Sequence, residues 1–182
     1  AYRFPKGHSF YLNYAYTRAT FQSQADIFSI RSADDADVVN PFPTDNEAQP
    51  GNRIPLVPDH QIKFGGLVKV GEFVSVGADG RYIGKQYLRG DEANVTTPLD
   101  GYFVADARVG LEFGRWEVNA IVTNLFQNTS AIFGTFNINQ GNPDGPTVER
   151  FLTPNHRRAF RLVIRTTFGG PGQPHAAGGD AD

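Results

Sequence analysis

Apolar and polar residues alternate with a period of two along most of this chain, in six separate runs. The first places Phe10, Leu12, Tyr14 and Tyr16 on one side and Asn13, Ala15 and Thr17 on the other. The second, from about His60 to Val70, sets Ile62, Phe64, Gly66, Val68 and Val70 against Lys63, Gly65, Leu67 and Lys69. In the third, Val74, Val76, Ala78, Gly80 and Tyr82 oppose Ser75, Gly77, Asp79, Arg81 and, further on, Lys85. The fourth opposes Phe103, Ala105, Ala107, Val109, Leu111 and Phe113 to Asp106, Arg108, Gly110 and Glu112. The fifth opposes Trp116, Val118, Ala120 and Val122 to Glu117, Asn119 and Thr123. The sixth opposes Phe160, Leu162, Ile164, Thr166 and Phe168 to Arg161, Val163, Arg165 and Thr167. Successive side chains of a strand point to opposite sides, so this pattern predicts six antiparallel strands with one apolar and one polar face.

The connections between the runs alternate in length. Val70-Gly71-Glu72-Phe73 and Phe113-Gly114-Arg115-Trp116 leave only a Gly-X pair for each turn. That suits a two-residue type II′ hairpin, whose first central position needs positive φ. The other connections, roughly Ser23 to Asp59, Arg89 to Gly101 and Gln127 to Arg157, are long and polar. Tight turns at one end and long loops at the other are the arrangement of an up-and-down barrel in an outer membrane. A soluble sandwich would alternate as well, so the strand ends carry the distinction. Phe73, Phe113, Trp116 and Phe168 lie at or beside the tight-turn end, and Tyr82, Phe103, Phe126 and Phe160 at the far end. Ten residues separate Phe103 from Phe113, and ten separate Trp116 from Phe126. At about 3.3 Å per residue and a tilt near 40°, that is a rise of roughly 25 Å, the height of the apolar band of such a barrel. Two aromatic belts that far apart are hard to obtain from a sandwich core.

Composition changes the picture little but consistently. The 182 residues include no Met and no Cys, 20 Gly and 12 Pro, and 13% are aromatic, which suits a soluble globule poorly. No stretch approaches the roughly 18 apolar residues of a membrane helix, a test that barrel strands escape because half of each faces a polar lumen. The absence of Cys is compatible with export and with the cytosol alike. The net charge of -2 names no partner, and nothing suggests nucleic acid. The chain opens on Ala1-Tyr2-Arg3-Phe4 without a leader, so it is expected to be a piece of a longer protein. Gly169 to Asp182 is rich in Gly, Pro, Ala and Asp, and a disordered tail is expected there after a barrel segment spanning residues 1–168.

Candidate chemistry is sparse. His8, His60, His156 and His175 are scattered and give no metal-binding spacing. Asp34-Asp35-Ala36-Asp37 lacks the glycine and distal glutamate of a Ca²⁺ loop and reads as a solvated acidic stretch. Asn94-Val95-Thr96 and Asn128-Thr129-Ser130 match the glycosylation pattern, and loop polarity accounts for both. No serine–histidine–acid set, phosphate loop or redox motif is visible, so no enzyme activity, cofactor or resident metal is expected.

Several stretches taken together resemble TonB-dependent outer-membrane receptors. They are Pro50-Gly51-Asn52-Arg53-Ile54-Pro55-Leu56-Val57-Pro58-Asp59-His60, Gln86-Tyr87-Leu88-Arg89-Gly90-Asp91-Glu92-Ala93-Asn94, and Thr123-Asn124-Leu125-Phe126. Ile132-Phe133-Gly134-Thr135-Phe136 and the terminal strand to Phe168 complete the match, which covers nearly all of Phe10 to Phe168. The resemblance implies an all-β architecture, about six strands of a larger 22-stranded plugged barrel. It also implies an active importer in the outer membrane of a Gram-negative bacterium. Energy would come from TonB through an N-terminal plug region absent from this chain, and the strands would meet outer-membrane lipid and the barrel-assembly machinery. A ferric siderophore is the commonest cargo of the family, and a passive porin is the alternative class. The last strand departs from the assembly pattern: Val163 stands where glycine is usual, Thr166 where a hydrophobe is usual, and Phe168 is not the final residue.

Seven basic residues lie on the polar faces: Lys63, Lys69, Arg81, Lys85, Arg108, Arg161 and Arg165. Asp79, Asp106, Glu112 and Glu117 stand against them. They form either a salt-bridged lumen wall against a plug or a field that attracts anionic cargo. On the second reading Arg81, Lys85, Arg89, Asp91, Arg108 and Arg161 line the path of a small ferric chelate, with Arg89, Asp91 and the 131–151 loop near the entrance.

Overall fold

A computed structural model describes residues 2–3, 7–24 and 48–168. The Asp34-Asp35-Ala36-Asp37 cluster, His175 and the tail from Gly169 onward lie outside the described residues. Nine strands are present among those described: β1 Tyr2–Arg3, β2 Ser9–Tyr16, β3 His60–Val70, β4 Val74–Ile83, β5 Tyr102–Phe113, β6 Trp116–Thr123, β7 Ala131–Asn139, β8 Thr147–Pro154 and β9 Ala159–Thr166. One antiparallel sheet runs in the order β1-β2-β3-β4-β5-β6-β9, and β7 with β8 forms a separate hairpin. The described residues contain no helix. All six alternating runs are strands of the main sheet.

The register joins the six apolar sides into one continuous face. Gly66 pairs with Ala78, Ala78 with Ala107, Ala107 with Val122, and Val122 with Phe160. One row nearer the long loops, Leu12 pairs with Phe64, Phe64 with Gly80, and Gly80 with Ala105. A slip of one residue in any pair would move a whole apolar set to the polar side. This face stays open rather than forming a core: Leu12 is 68%, Leu162 64% and Phe160 80% exposed. Aromatic rings fill the gaps left by its small residues. A Cβ on Gly80 would lie 2.6 Å from Cζ of Phe64, so that ring rests over the glycine backbone.

Both tight turns lie at the same end of the sheet. Phe113 pairs with Trp116, leaving Gly114-Arg115 as a two-residue turn, and Gly114 has φ +58°. The other turn differs from the expected pair. Val70 pairs with Val74, so Gly71, Glu72 and Phe73 form a three-residue connection, with Gly71 at φ +67°. Phe73 is drawn out of the strand, and its carbonyl accepts from the Glu112 amide at 2.8 Å.

Two further expectations are corrected. The segment from Gln127 to Arg157 is not a plain loop but holds the β7–β8 hairpin, with a register irregularity between Ala131 and Phe133. Asn and Thr among its alternating residues conceal a period-two pattern in which Gly134, Phe136 and Ile138 share one side. Six strands with side chains as bulky as Arg108 and Arg161 leave little lumen if closed, which predicts an open sheet with both edges unpaired. The sheet is open, but its two edges are unequal. β1 covers the start of the β2 edge, pairing Tyr2 with Phe10 and Arg3 with Ser9, whereas β9 has no strand partner on its outer side among the described residues.

The buried core sits at the long-loop end. Leu88, Asp91 and Asn124 are fully buried, and Leu99, Val148, Glu92 and Asn155 are nearly so. A loop cluster packed over the end of an open sheet is therefore the best-packed part of the molecule.

Candidate functional site

The polar face carries its charges in rows set by the strand register. Lys63 stands directly opposite Arg81. One row nearer the tight turns, Asp79 stands opposite Asp106. Below them Arg108 pairs with Ile121, and Ile121 with Arg161. Nearest the turns Glu112 opposes Glu117, and Glu117 reaches Arg165 at 3.5 Å.

The row of carboxylates is held by neutral donors. The Tyr11 hydroxyl donates to Asp79 Oδ1 at 2.7 Å across the intervening strand β3. The crossing depends on Gly65, because a Cβ there would lie 2.5 Å from Asp79 Oδ1 and 2.8 Å from a Tyr11 ring carbon. Asp106 accepts from the Asn124 amide at 2.8 Å. Arg108 lies over Gly77 in the same manner, its Nε 2.7 Å from where a Cβ would be. The side chains of Lys63 and Arg81 make no ion pair or hydrogen bond among the described residues. Together with Tyr11, Asp79, Asp106 and His156 they line a hollow of about 370 Å³ on this face.

The residues expected along a cargo path divide into two groups. Arg81, Arg108 and Arg161 share the polar face of the sheet. Lys85, Arg89 and Asp91 belong to the loop cluster instead. Lys85 meets Asp100 at 3.4 Å in a largely exposed pair, a contact of little energetic weight. The Arg89 carbonyl accepts from the Phe136 amide at 2.8 Å and tethers the β7–β8 hairpin to the loop after β4. Asp91 is 0% exposed, and its carboxylate accepts from the Val95 and Thr96 amides and the Thr96 hydroxyl at 2.8, 3.1 and 2.6 Å. Its carboxylate is occupied in holding the loop.

The aromatic residues fall in two rows on the apolar face. At the long-loop end Tyr82 pairs with Phe103, and the Phe103 ring lies 6.0 Å from Phe64 and 6.2 Å from Phe126. Phe160 stands in the same region, opposite Val122. At the tight-turn end Phe113 pairs with Trp116, and the Arg115 guanidinium sits 6.0 Å from the Trp116 ring and 5.8 Å from Phe168. Phe73 stands beside that turn, 60% exposed.

Two asparagines organise the loops, and the sequence showed them only as members of longer stretches. Asn94, at φ +57°, donates to the Arg53 carbonyl at 3.0 Å and accepts from the Arg53 amide, joining two distant loops. Asn124, at φ +51°, donates to the carbonyls of Asn128 and His156 at 2.8 and 2.7 Å and accepts from the Asn128 amide at 2.8 Å. It ties the exit of β6 to the approach of β9. Asn and Asp tolerate the left-handed region better than other residues with a Cβ, which suits both positions.

The sequence model described as "TonB dependent receptor-like, beta-barrel" matches residues 2–125. The chain belongs to the TonB-dependent receptor β-barrel family. Asn124 stands at the end of the matched region, and the strands before it include β2 through β6 of the sheet. Over 85 residues the chain is 36% identical to the catecholate siderophore receptor Fiu of Escherichia coli K12, a match covering 43% of this chain. That match spans 11% of the relative, so the matched part of this TonB-dependent receptor segment corresponds to about a tenth of that protein's length. The crystal structure of the ferric-catecholate import receptor Fiu from E. coli K12 in its closed form is similar at 29% identity, covering 62% of this chain and 14% of that one, with a TM-score of 0.47. The open form is similar at 24% identity, covering 65% and 16%, with a TM-score of 0.46.

Proposed function

We propose that this segment forms part of the barrel wall of an outer-membrane receptor that imports a ferric catecholate siderophore with energy delivered through TonB. The carrying observation is the division of one six-strand register into a continuous apolar face and a charged face within a chain of this family. A sheet built this way separates lipid from a polar interior. The 36% identity to a catecholate siderophore receptor supports the cargo class. A ferric catecholate is polyanionic, and a channel wall bearing Arg81, Arg108 and Arg161 raises its local concentration. Lys85 and Arg89, in the loop cluster, stand near the entrance, with Asp91 shaping the loop that carries them.

On this reading Phe73, Phe113, Trp116 and Phe168 lie at the periplasmic boundary of the lipid. Tyr82, Phe103, Phe126 and Phe160 lie at the outer boundary. Residues 1–168 supply barrel strands that the barrel-assembly machinery inserts.

The test is uptake of radiolabelled ferric catecholate by cells carrying the full-length gene, with and without TonB. Uptake that requires both the gene and TonB is expected. Uptake independent of TonB would make the protein a passive porin. TonB-dependent growth on other nutrients without ferric catecholate uptake would overturn the cargo and keep the receptor.

A further inference from the structure

We infer that the hollow on the polar face is a zwitterion site, taking an anionic group against Lys63 and Arg81 and an ammonium group against Asp79 and Asp106. It deepens the receptor reading by naming the charge pattern of the cargo arm that this wall selects. Like charges placed directly opposite each other destabilise an antiparallel pair, yet two such pairs occupy successive rows here. Neither is closed by an ion pair among the described residues. Lys63 and Arg81 have no ion-pair partner among the described residues. Asp79 and Asp106 hold one neutral donor each, the Tyr11 hydroxyl and the Asn124 amide. A carboxylate offers about four acceptor sites, so both retain capacity directed at a donor.

The geometry selects against ligands of a single sign. A pure anion is attracted by the upper row and repelled by the lower, and a pure cation the reverse. Rows two residues apart along a strand are separated by about 7 Å, which sets the spacing of the two ligand charges. An arm ending like an acylated lysine, with a free carboxylate and a side-chain ammonium, has both signs at a comparable separation. The hollow of about 370 Å³ accommodates such an arm, leaving the metal-chelating part of a larger cargo outside it. Tyr11 fixes the Asp79 carboxylate, so the lower row is pre-oriented before anything binds.

The experiment uses the full-length receptor in detergent and two matched probes, the ferric complexes of 2,3-dihydroxybenzoyl-lysine and 2,3-dihydroxybenzoyl-norleucine. They differ by the ammonium group. The lysyl probe should bind about tenfold more tightly, the size of one charge-assisted contact in a partly sheltered site. Asp79→Asn with Asp106→Asn should bring the two probes to equal affinity, whereas Lys63→Gln with Arg81→Gln should weaken both. Measurable but equal binding of the two probes to the unaltered receptor would overturn the inference, as would a lysyl preference that survives loss of both carboxylates. If the carboxylate variant does not assemble, Lys63→Gln with Arg81→Gln reads the same site, and probe affinities that do not change would overturn it. Nα-acetyl-lysine and Nα-acetyl-norleucine, tested without iron by saturation-transfer NMR, separate this site from the cargo reading. A lysine preference there, with both ferric probes ignored, would sink the catecholate assignment and uphold the site. No preference in either pair would sink the site.

Discussion

Replacing Asn124 with alanine should loosen the whole segment between β6 and β9 while leaving the rest of the sheet intact. The side chain is completely buried and makes three hydrogen bonds, two donated to the Asn128 and His156 carbonyls and one accepted from the Asn128 amide. Each such bond contributes about 1 kcal/mol net, and a buried partner left unsatisfied adds to that loss. Alanine must also adopt φ +51°, where a residue with a Cβ and no local hydrogen bond is strained by about 1 kcal/mol. The sum is about 4 kcal/mol for local opening, or roughly a thousandfold faster amide exchange where that opening governs it. The assay is native-state hydrogen exchange on the full receptor, read at Asn128 and at Asn155, whose amide donates to the Ser130 carbonyl at 3.0 Å. Amides of the β3–β4 ladder serve as the internal control. Asn124→Gly removes the same bonds without the left-handed strain, so it should exchange about fivefold more slowly than the alanine variant. Acceleration below about tenfold at Asn128 and Asn155 in Asn124→Ala, or equal acceleration of the β3–β4 amides, would refute the role given to this side chain.

Ala107→Arg, at the middle of β5 on the apolar face, should cost about 2–4 kcal/mol of barrel stability, and Leu111→Arg, nearer the turn, less. Urea unfolding in lipid vesicles measures both, and equal costs would contradict a lipid-facing gradient. Gly65→Val should break the Tyr11–Asp79 bond, because the added Cβ would lie 2.5 Å from Asp79 Oδ1 and 2.8 Å from the Ala78 carbonyl oxygen. A cost of about 2 kcal/mol in the same assay is expected, and the variant should be insensitive to a further Tyr11→Phe change that weakens the parent. Glu149, in the β7–β8 hairpin, accepts from Asn139, Thr147 and Asn142, and these donors hold its carboxyl below the usual value of 4.5. A depressed pKa stabilises the folded hairpin above the unfolded value and ceases to do so as pH falls through the folded one. Exchange protection of the hairpin tip should therefore decline with acidification below about pH 4.5, and Glu149→Gln should remove that dependence.

The amino-acid order was sufficient to specify the six strands, their apolar and polar sides and the common end of the two tight turns. Each of these is local. A period of two assigns Leu111 and Arg108 to opposite faces wherever the strand lies, and Gly114 suits a tight turn without help from a distant residue. Phe73 shows the limit of local reading, since whether it ends a turn or starts a strand depends on how Val70 pairs with Val74. The β7–β8 hairpin needed the tertiary structure, because it is held by Arg89, whose carbonyl meets the Phe136 amide 47 positions along the chain. Asp91, expected near the entrance of a cargo path, is buried, because a segment without periodicity takes its shape from the hydrogen bonds of its own side chains. The charge rows were equally out of reach of any single strand. Tyr11 and Asp79 are 68 residues apart and meet over Gly65, and Lys63 faces Arg81 only because the turn between them sets that register. The alternation within a strand is a property of its own backbone, whereas the neighbours across a sheet are decided by turns, pairing and packing acting together.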